Sequence, residues 1–296
     1  GYIFGCRNII IADIDPGLIL QLIEDEKIKS SLFVPAVILF LISHPDSITT
    51  DFSSLEFVVY GASPIAESTI VKAREIMKCD LYQVYGLTET TGAITMMMPD
   101  DHNPERGKLR SCGKALKGVE LKVIDDDGND LETGEIGEVI SKSKLNMKGY
   151  WNKPDATKES IVDGWFYSGD AGFFDEEGFL FIHDRVKDMI VSGGENIYPA
   201  EVENALMSHD EILDAAVVGV PDEKWGESVK GFVVIGESSL SEEEIISYTR
   251  SQIAAYKCPK SIEFIKELPR NPSGKILRRE LRDPYWEGID RKVSGN

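Results

Sequence analysis

The sequence predicts an α/β protein of more than one unit: a parallel sheet with helices packed on it, a small antiparallel β-barrel or sheet, and a compact α+β unit at the end. Three observations carry this reading. Strand-like and helix-like stretches alternate from Asn8 to Tyr85, the order that builds a parallel sheet. Short strands separated by acidic, glycine-containing turns follow residue 110, the pattern of an antiparallel unit. A chain of 296 residues also exceeds the size at which one hydrophobic core stops growing. Composition places the unit limits at 1–110, 111–184 and 185–296.

Asn8–Ala12 is a β-branched run and reads as a strand. Asp15-Pro16 then opens a helix over Pro16–Glu26: the aspartate caps free amides, proline suits the first helical position, and Leu18, Ile19, Leu22 and Ile23 recur at helical spacing. Leu32–Val34 reads as a strand, Pro35–Ile42 as a buried helix and Phe57–Tyr60 as a strand ended by Gly61. Pro64–Met77 is amphipathic and helical, and strand Leu81–Tyr85 follows. In the middle segment, Val119–Ile124 and Gly137–Ser141 are strands around the turn Asp125–Asn129, and Phe173-Phe174 pairs with Phe179–Ile182 across Asp175–Gly178. In the last, Tyr198–Glu201 starts a helix, Ala215–Val220 and Val229–Ile235 are strands, Ser241–Ala255 is a helix with a Ser-x-x-Glu capping box, and Ile262–Ile265 is a final strand.

The chain holds 32 basic and 51 acidic residues, a net charge of −19, which excludes partners that present phosphate polyanions or anionic lipid. Residues 1–184 carry −14 and 185–296 carry −5, yet Lys260–Arg282 alone carries +4. A local anion site is expected there, working against the general field. The longest apolar run, Leu32–Ile42, is too short to span a bilayer and contains Pro35. Cys6, Cys79, Cys112 and Cys258 are far apart, which argues against a disulfide framework or zinc site and for a reducing cytoplasm.

Four polar constellations stand out. Tyr85–Gly92 follows a strand at its carboxyl end, where open α/β sheets bind ligands. There Tyr85 offers a flat face, Gly86 permits close backbone approach, Thr88 can donate to a phosphate or carboxylate oxygen, and Glu89 suits Mg²⁺. Tyr167-Ser168-Gly169-Asp170 places an acid after a tight turn, able to accept from two vicinal hydroxyls. Arg185 and Lys187 precede Ser192-Gly193-Gly194-Glu195-Asn196 at a unit limit. Pro269–Ile276 displays Lys275 on a loop stiffened by proline, a point charge for anionic oxygens. The last is no P-loop, because Ile276 rather than Ser or Thr follows the lysine. Taken alone, the Tyr85–Gly92 stretch reads equally well as a polar turn, and the other three read as ordinary turns or linkers.

Together and in this order they resemble the adenylate-forming (AMP-binding) superfamily, and Gly61-Ala62-Ser63-Pro64 matches that family's loop beside the adenine and acyl pocket. The resemblance covers essentially the whole chain. It implies a large AMP-binding domain, present in part, followed by a small mobile C-terminal domain. It implies that Gly61, Ala62, Ser63, Tyr85, Gly86, Thr88, Asp170 and Arg185 bind nucleotide, with Tyr85 on adenine, Thr88 on phosphate and Asp170 on ribose. Glu89 would bind Mg²⁺, Lys275 would stabilise the α-phosphate during adenylation, and Lys187 would be the hinge. Gly193 and Gly194 would line the pantetheine tunnel, so the resemblance favours an ATP-dependent acyl-CoA synthetase of fatty-acid type, using ATP, Mg²⁺, CoA and a small-molecule carboxylic acid. An adenylating enzyme with a non-CoA acceptor and a non-catalytic nucleotide-binding module are the alternatives.

Family members also carry a Ser/Thr/Gly-rich phosphate loop ending in Pro-Lys-Gly, and this sequence contains none; His44, His102, His183 and His209 match no expected family histidine. The chain opens on Gly1 rather than Met. It is therefore read as the C-terminal portion of a longer enzyme, with little or no synthetase activity alone and with exposed apolar sheet surface that favours homo-oligomers.

Overall fold

A computed structural model of the chain describes residues 5–125, 127–236, 239–271 and 275–288, and the side chains of all of these but 184 and 187. In chain order the elements are α1 (Pro16–Asp25), β1 (Ser30–Phe33), α2 (Pro35–Ser43), β2 (Phe57–Gly61), α3 (Glu67–Met77), β3 (Asp80–Leu87), β4 (Gly92–Met97) and β5 (Lys114–Ala115). Then come β6 (Val119–Ile124), β7 (Gly137–Ser143), α4 (Pro154–Ser160), β8 (Ile161–Val162), β9 (Trp165–Phe174) and β10 (Leu180–Arg185). The remainder is β11 (Ile190–Ser192), β12 (Glu195–Ile197), α5 (Pro199–Met207), β13 (Ile212–Asp222), β14 (Gly226–Ile235), α6 (Glu242–Gln252), β15 (Ser261–Phe264) and α7 (Arg278–Arg282).

The strands form three sheets. The first runs β1-β2-β3-β4-β5, with β1, β2 and β3 parallel and β4 and β5 returning antiparallel. Its core lies under α1, α2 and α3, where Leu20, Ile23, Ile38, Leu41, Val58, Tyr60 and Ile70 are fully enclosed. The Asp15 side chain accepts the Leu18 N–H at 3.0 Å, so the predicted cap forms. The second sheet is an open antiparallel half-barrel, β10-β9-β7-β6, with β8 paired to β9. It is stitched to the first through Cys112 and Gly113, whose backbones exchange hydrogen bonds with Leu180 at 2.6 and 2.9 Å. The third runs β12-β11-β14-β13, with β15 parallel to β14. α5 and α6 cover one of its faces, and Leu268, Ile276 and Leu281 pack on the other. The Ser241–Glu244 capping box forms in both directions. We propose these sheets as the centres of units 1–110, 111–184 and 185–296, with β5 reaching back to the first from beyond residue 110.

Three local expectations are corrected. Asn8–Ala12 is not a strand: it has no ladder to join, and Ile10 is 83% exposed. α3 starts at Glu67 rather than Pro64, because residues 62–65 are drawn into the wall of a cavity. The stretch after Tyr85 is not simply loop. β3 continues to Leu87 and folds back as β4, with Leu87 opposite Gly92, so Thr88–Thr91 is the tip of a hairpin. Two glycines make this packing feasible. A Cβ on Gly86 would sit 1.9 Å from the Gly92 carbonyl oxygen, and one on Gly61 would sit 2.1 Å from that of Val84.

Candidate active site

The three sheets meet at a cavity of about 350 Å³. The loop after β2 contributes Ala62 and Ser63; the β3 end and hairpin tip contribute Tyr85, Gly86, Thr88 and Glu89; the half-barrel contributes Asp170 and Arg185; the third unit contributes Lys275 and Arg278. Residues spread from 62 to 278 thus converge at the carboxyl ends of the parallel strands, where a sheet edge leaves a crevice.

Asp170 is the centre of its polar network. The antiparallel register of β9 and β10 sets Arg185 directly opposite Asp170. From there the guanidinium Nε donates to Asp170 Oδ1 at 2.8 Å, and Tyr85 Oη donates to Oδ2 at 2.6 Å. The Asp170 backbone is fixed too: its N–H donates to Ser168 Oγ at 3.0 Å, and that hydroxyl donates to the Val139 carbonyl at 2.5 Å. Burial raises the Asp170 pKa above its ordinary value, with Arg185 and the Tyr85 hydrogen bond opposing the rise. Burial also pushes the Tyr85 phenol well above its ordinary value, and the neighbouring carboxylate adds to this. Tyr85 is therefore a neutral donor at any physiological pH. Two acceptor sites of Asp170 are used inside the protein, which leaves two of a carboxylate's four for hydroxyls of a ligand.

Glu89 sits on the hairpin tip. Tyr150 Oη donates to its Oε1 at 2.8 Å, while its Oε2 takes no hydrogen bond among the described residues. One fixed and one open carboxylate oxygen fit Mg²⁺, which binds through one or two carboxylates plus substrate phosphates. Lys275 stands at the cavity mouth, exposed on one side. Partial desolvation and the like charge of Arg185 lower its pKa, and Asp170 works against that shift.

Other expected site residues lie elsewhere. Gly61 ends β2 outside the cavity lining, where its close contact with β3 accounts for the glycine. Gly193 and Gly194 form the turn between β11 and β12, away from the cavity, with Gly193 against the Trp225 ring. Lys187 belongs to a single helical turn, Val186–Asp188, and its side chain lies outside the described ones. Ser273 and Gly274 also lie outside the described residues. Conversely, the cavity includes Arg110, Cys112, His183, Asn204 and Arg278, and depends on Tyr150 and Ser168. Ser168 lies within the Tyr167–Asp170 stretch and Arg278 within the basic stretch Lys260–Arg282, whereas Arg110, Cys112, Tyr150, His183 and Asn204 have no local sequence signal and are brought in by packing. Burial pushes the Cys112 thiol up to about 12, so this pocket cysteine is an inert wall.

A cleft at the ends of parallel strands, walled by a half-barrel and capped by a lysine-bearing α+β unit, is the layout of adenylate-forming enzymes. The AMP-binding enzyme model matches residues 1–151, and the AMP-binding enzyme C-terminal domain model matches residues 201–275. The chain belongs to the AMP-binding enzyme family. It is 43% identical over 276 residues to the fatty acid–[acyl-carrier-protein] ligase ScoC of Streptomyces coeruleorubidus, covering 93% of this chain and 53% of ScoC. It is 38% identical over 281 residues to the long-chain-fatty-acid–CoA ligase FadD13 of Mycobacterium tuberculosis, covering 95% and 55%. Among solved structures, the amide bond synthetase McbA of Marinactinospora thermotolerans superposes with a TM-score of 0.86 at 36% identity, over 92% of this chain and 56% of McbA. The chain spans about half the length of the curated relatives it matches. Among the described residues no helix is long and apolar enough to cross a membrane.

Proposed function

We propose that this chain carries the nucleotide and lysine machinery of an ATP-dependent acyl-CoA synthetase. In the first step a carboxylate oxygen attacks the ATP α-phosphorus, pyrophosphate leaves, and an acyl-adenylate forms. In the second the CoA thiol attacks the acyl carbon, giving the thioester, AMP and a proton. The observation that carries the reading is the convergence of Tyr85, Thr88, Glu89, Asp170, Arg185 and Lys275 on one cavity. Asp170 accepts the ribose hydroxyls, Arg185 holds Asp170 in place, and the Tyr85 ring lies against the base. Thr88 donates to the phosphate. Lys275 places positive charge where the α-phosphate gains negative charge. Glu89 would hold Mg²⁺, which neutralises phosphate charge when bound. Ala62 and Ser63 border the base and acyl group. Lys187 remains the proposed hinge, and Gly193 and Gly194 the proposed thiol channel.

Titration of this chain by calorimetry with AMP and with a non-hydrolysable acyl-adenylate analogue tests the site without requiring turnover. Saturable binding supports the reading, and the absence of any binding heat overturns it.

The rate of adenylate formation is expected to fall on the alkaline side with a midpoint below 10.5, because the ammonium form of Lys275 is the active one and its pKa is lowered. Asp170→Asn is expected to move that midpoint lower still, since the Asp170 charge is what raises it. A pH–rate profile of pyrophosphate exchange, with both versions carried in a full-length family enzyme, checks the sign.

A non-CoA acceptor is the second reading, favoured by the likeness to a carrier-protein ligase and to an amide bond synthetase. Nothing lies within 4 Å of a Cβ built on Gly194, but its φ of +89° disfavours any side chain, so Gly194→Ala adds a methyl to open space and strains the turn between β11 and β12. It is expected to reduce thioester formation from supplied acyl-adenylate and CoA while sparing adenylate formation. An unchanged thioester rate in that assay would point to another acceptor.

A further inference from the structure

We propose that Glu203 and Asp214 are positioning residues for Lys275, clamping both stems of its loop to the body of the third unit so that the lysine enters the cavity. The inference rests on the reading of Lys275 as the group that stabilises the α-phosphate, and it extends that reading to residues outside the cavity's polar network.

The loop is closed on itself at its base. The Asn271 N–H donates to the Lys275 carbonyl at 2.9 Å, and the Lys275 N–H donates to Asn271 Oδ1 at 2.9 Å. Arg270 bridges Ile276 in antiparallel fashion, and the Leu277 N–H donates to the Pro269 carbonyl at 2.8 Å. Each stem then carries one arginine, and each arginine reaches a carboxylate far away in sequence. Arg270 Nη2 meets Asp214 Oδ2 of β13 at 2.7 Å. Arg278 grips Glu203 of α5 with two donors, Nε to Oε1 at 3.1 Å and Nη2 to Oε2 at 2.7 Å.

Glu203 is itself fixed. It is 8% exposed, and its Oε1 also accepts the Val217 N–H of β13 at 2.8 Å. Burying such carboxylates costs desolvation that apolar contacts avoid. Ile276 already supplies an apolar contact to this loop. What an arginine–carboxylate fork adds is direction, because two parallel donors allow one orientation of the stem. The charges matter as well. Lys275 is faced by Arg185, Asp170, Arg278 and Asp188, and of these Arg185 and Arg278 repel it. Glu203 offsets part of the Arg278 charge, so its loss strengthens the repulsion that Arg278 exerts on the lysine three residues away.

The experiment compares the whole chain with its Glu203→Gln, Asp214→Asn and Lys275→Ala variants. Two readouts need no substrate: amide hydrogen exchange of the loop, and labelling of the Lys275 amine by acetic anhydride across pH, read by mass spectrometry. In Glu203→Gln the Lys275 and Leu277 amides are expected to exchange about tenfold faster, as local opening becomes easier. The Lys275 labelling midpoint is expected to move to lower pH while labelling of the exposed Lys117 stays put. With the same substitutions carried in a full-length family enzyme, adenylate formation is expected to fall about 10²-fold, the scale of an ångström-sized misplacement, while thioester formation from supplied acyl-adenylate stays within about twofold. Asp214→Asn, at a more exposed pair, is expected to show smaller changes of the same sign and serves if Glu203→Gln does not fold. Loop exchange and Lys275 labelling identical to the unsubstituted chain in both folded variants would overturn the clamp. Wild-type pyrophosphate exchange by the full-length enzyme carrying Lys275→Ala would instead sink the functional reading, and with it the positioning role.

Discussion

Replacing Lys275 with alanine is expected to slow adenylate formation about 10²–10³-fold, the loss that follows removal of one donor aimed at developing oxyanion charge. The same substitution is expected to leave the melting temperature nearly unchanged. Lys275 is exposed on one side and its ammonium makes no ion pair among the described residues, so its removal strands no buried partner. Its loop is held by Arg270, Asn271 and Arg278 instead. Pyrophosphate exchange by a full-length family enzyme carrying the substitution, and a thermal melt of the substituted chain, check both halves. A fall in rate that tracks a fall in stability would mean that Lys275 is a structural residue.

Asp170→Ala is expected to do the opposite, lowering stability and nucleotide affinity together. The carboxylate is 7% exposed and is the partner of both Tyr85 and Arg185. Its removal takes the carboxylate acceptor from the phenol and the Asp170 charge from the Arg185 guanidinium. Breaking a fully buried pair costs about 3–5 kcal/mol, and the Arg185 side chain is 33% exposed, so about 2–3 kcal/mol is the expected loss here. AMP affinity is expected to drop at least about tenfold, since charge-assisted hydrogen bonds to two hydroxyls contribute roughly 1.5–3 kcal/mol each. Chemical denaturation and calorimetric titration measure the two effects. Asp170→Asn separates them, because it keeps the shape and one acceptor oxygen while losing the charge.

The site was legible in sequence to the extent that local motifs carry it. Tyr85–Glu89, Tyr167–Asp170, Arg185 and Lys275 each sit on a short polar stretch with turn residues beside it. The residues that support them were not. Tyr150 reaches Glu89 across 61 positions, and Glu203 reaches Arg278 across 75, through contacts that no spacing rule encodes. Glycines illustrate the same divide. Gly61 and Gly86 read as allowances for a ligand, but a Cβ on either would meet a neighbouring backbone oxygen at 2.1 or 1.9 Å, so strand packing already demands them. Helix ends at Asp15 and Ser241 were readable because a cap is a contact between residues three apart. The start of α3 was not, since it depends on a cavity wall formed by distant segments.

By itself, the sequence determined where most of the helices and strands fall and which polar stretches are candidates for chemistry, because helical period, capping and turn residues act over a few positions. It also determined the charge imbalance, −19 overall with a basic stretch around Lys275, because charge is a property of composition. Only the tertiary structure decided that β3 turns back into β4, that the register of β9 and β10 sets Arg185 against Asp170, and that two distant carboxylates hold the lysine loop. The physical reason is range. Backbone propensity and capping energies are local, whereas strand register and buried ion pairs take their energy from groups that meet only after the three sheets have packed.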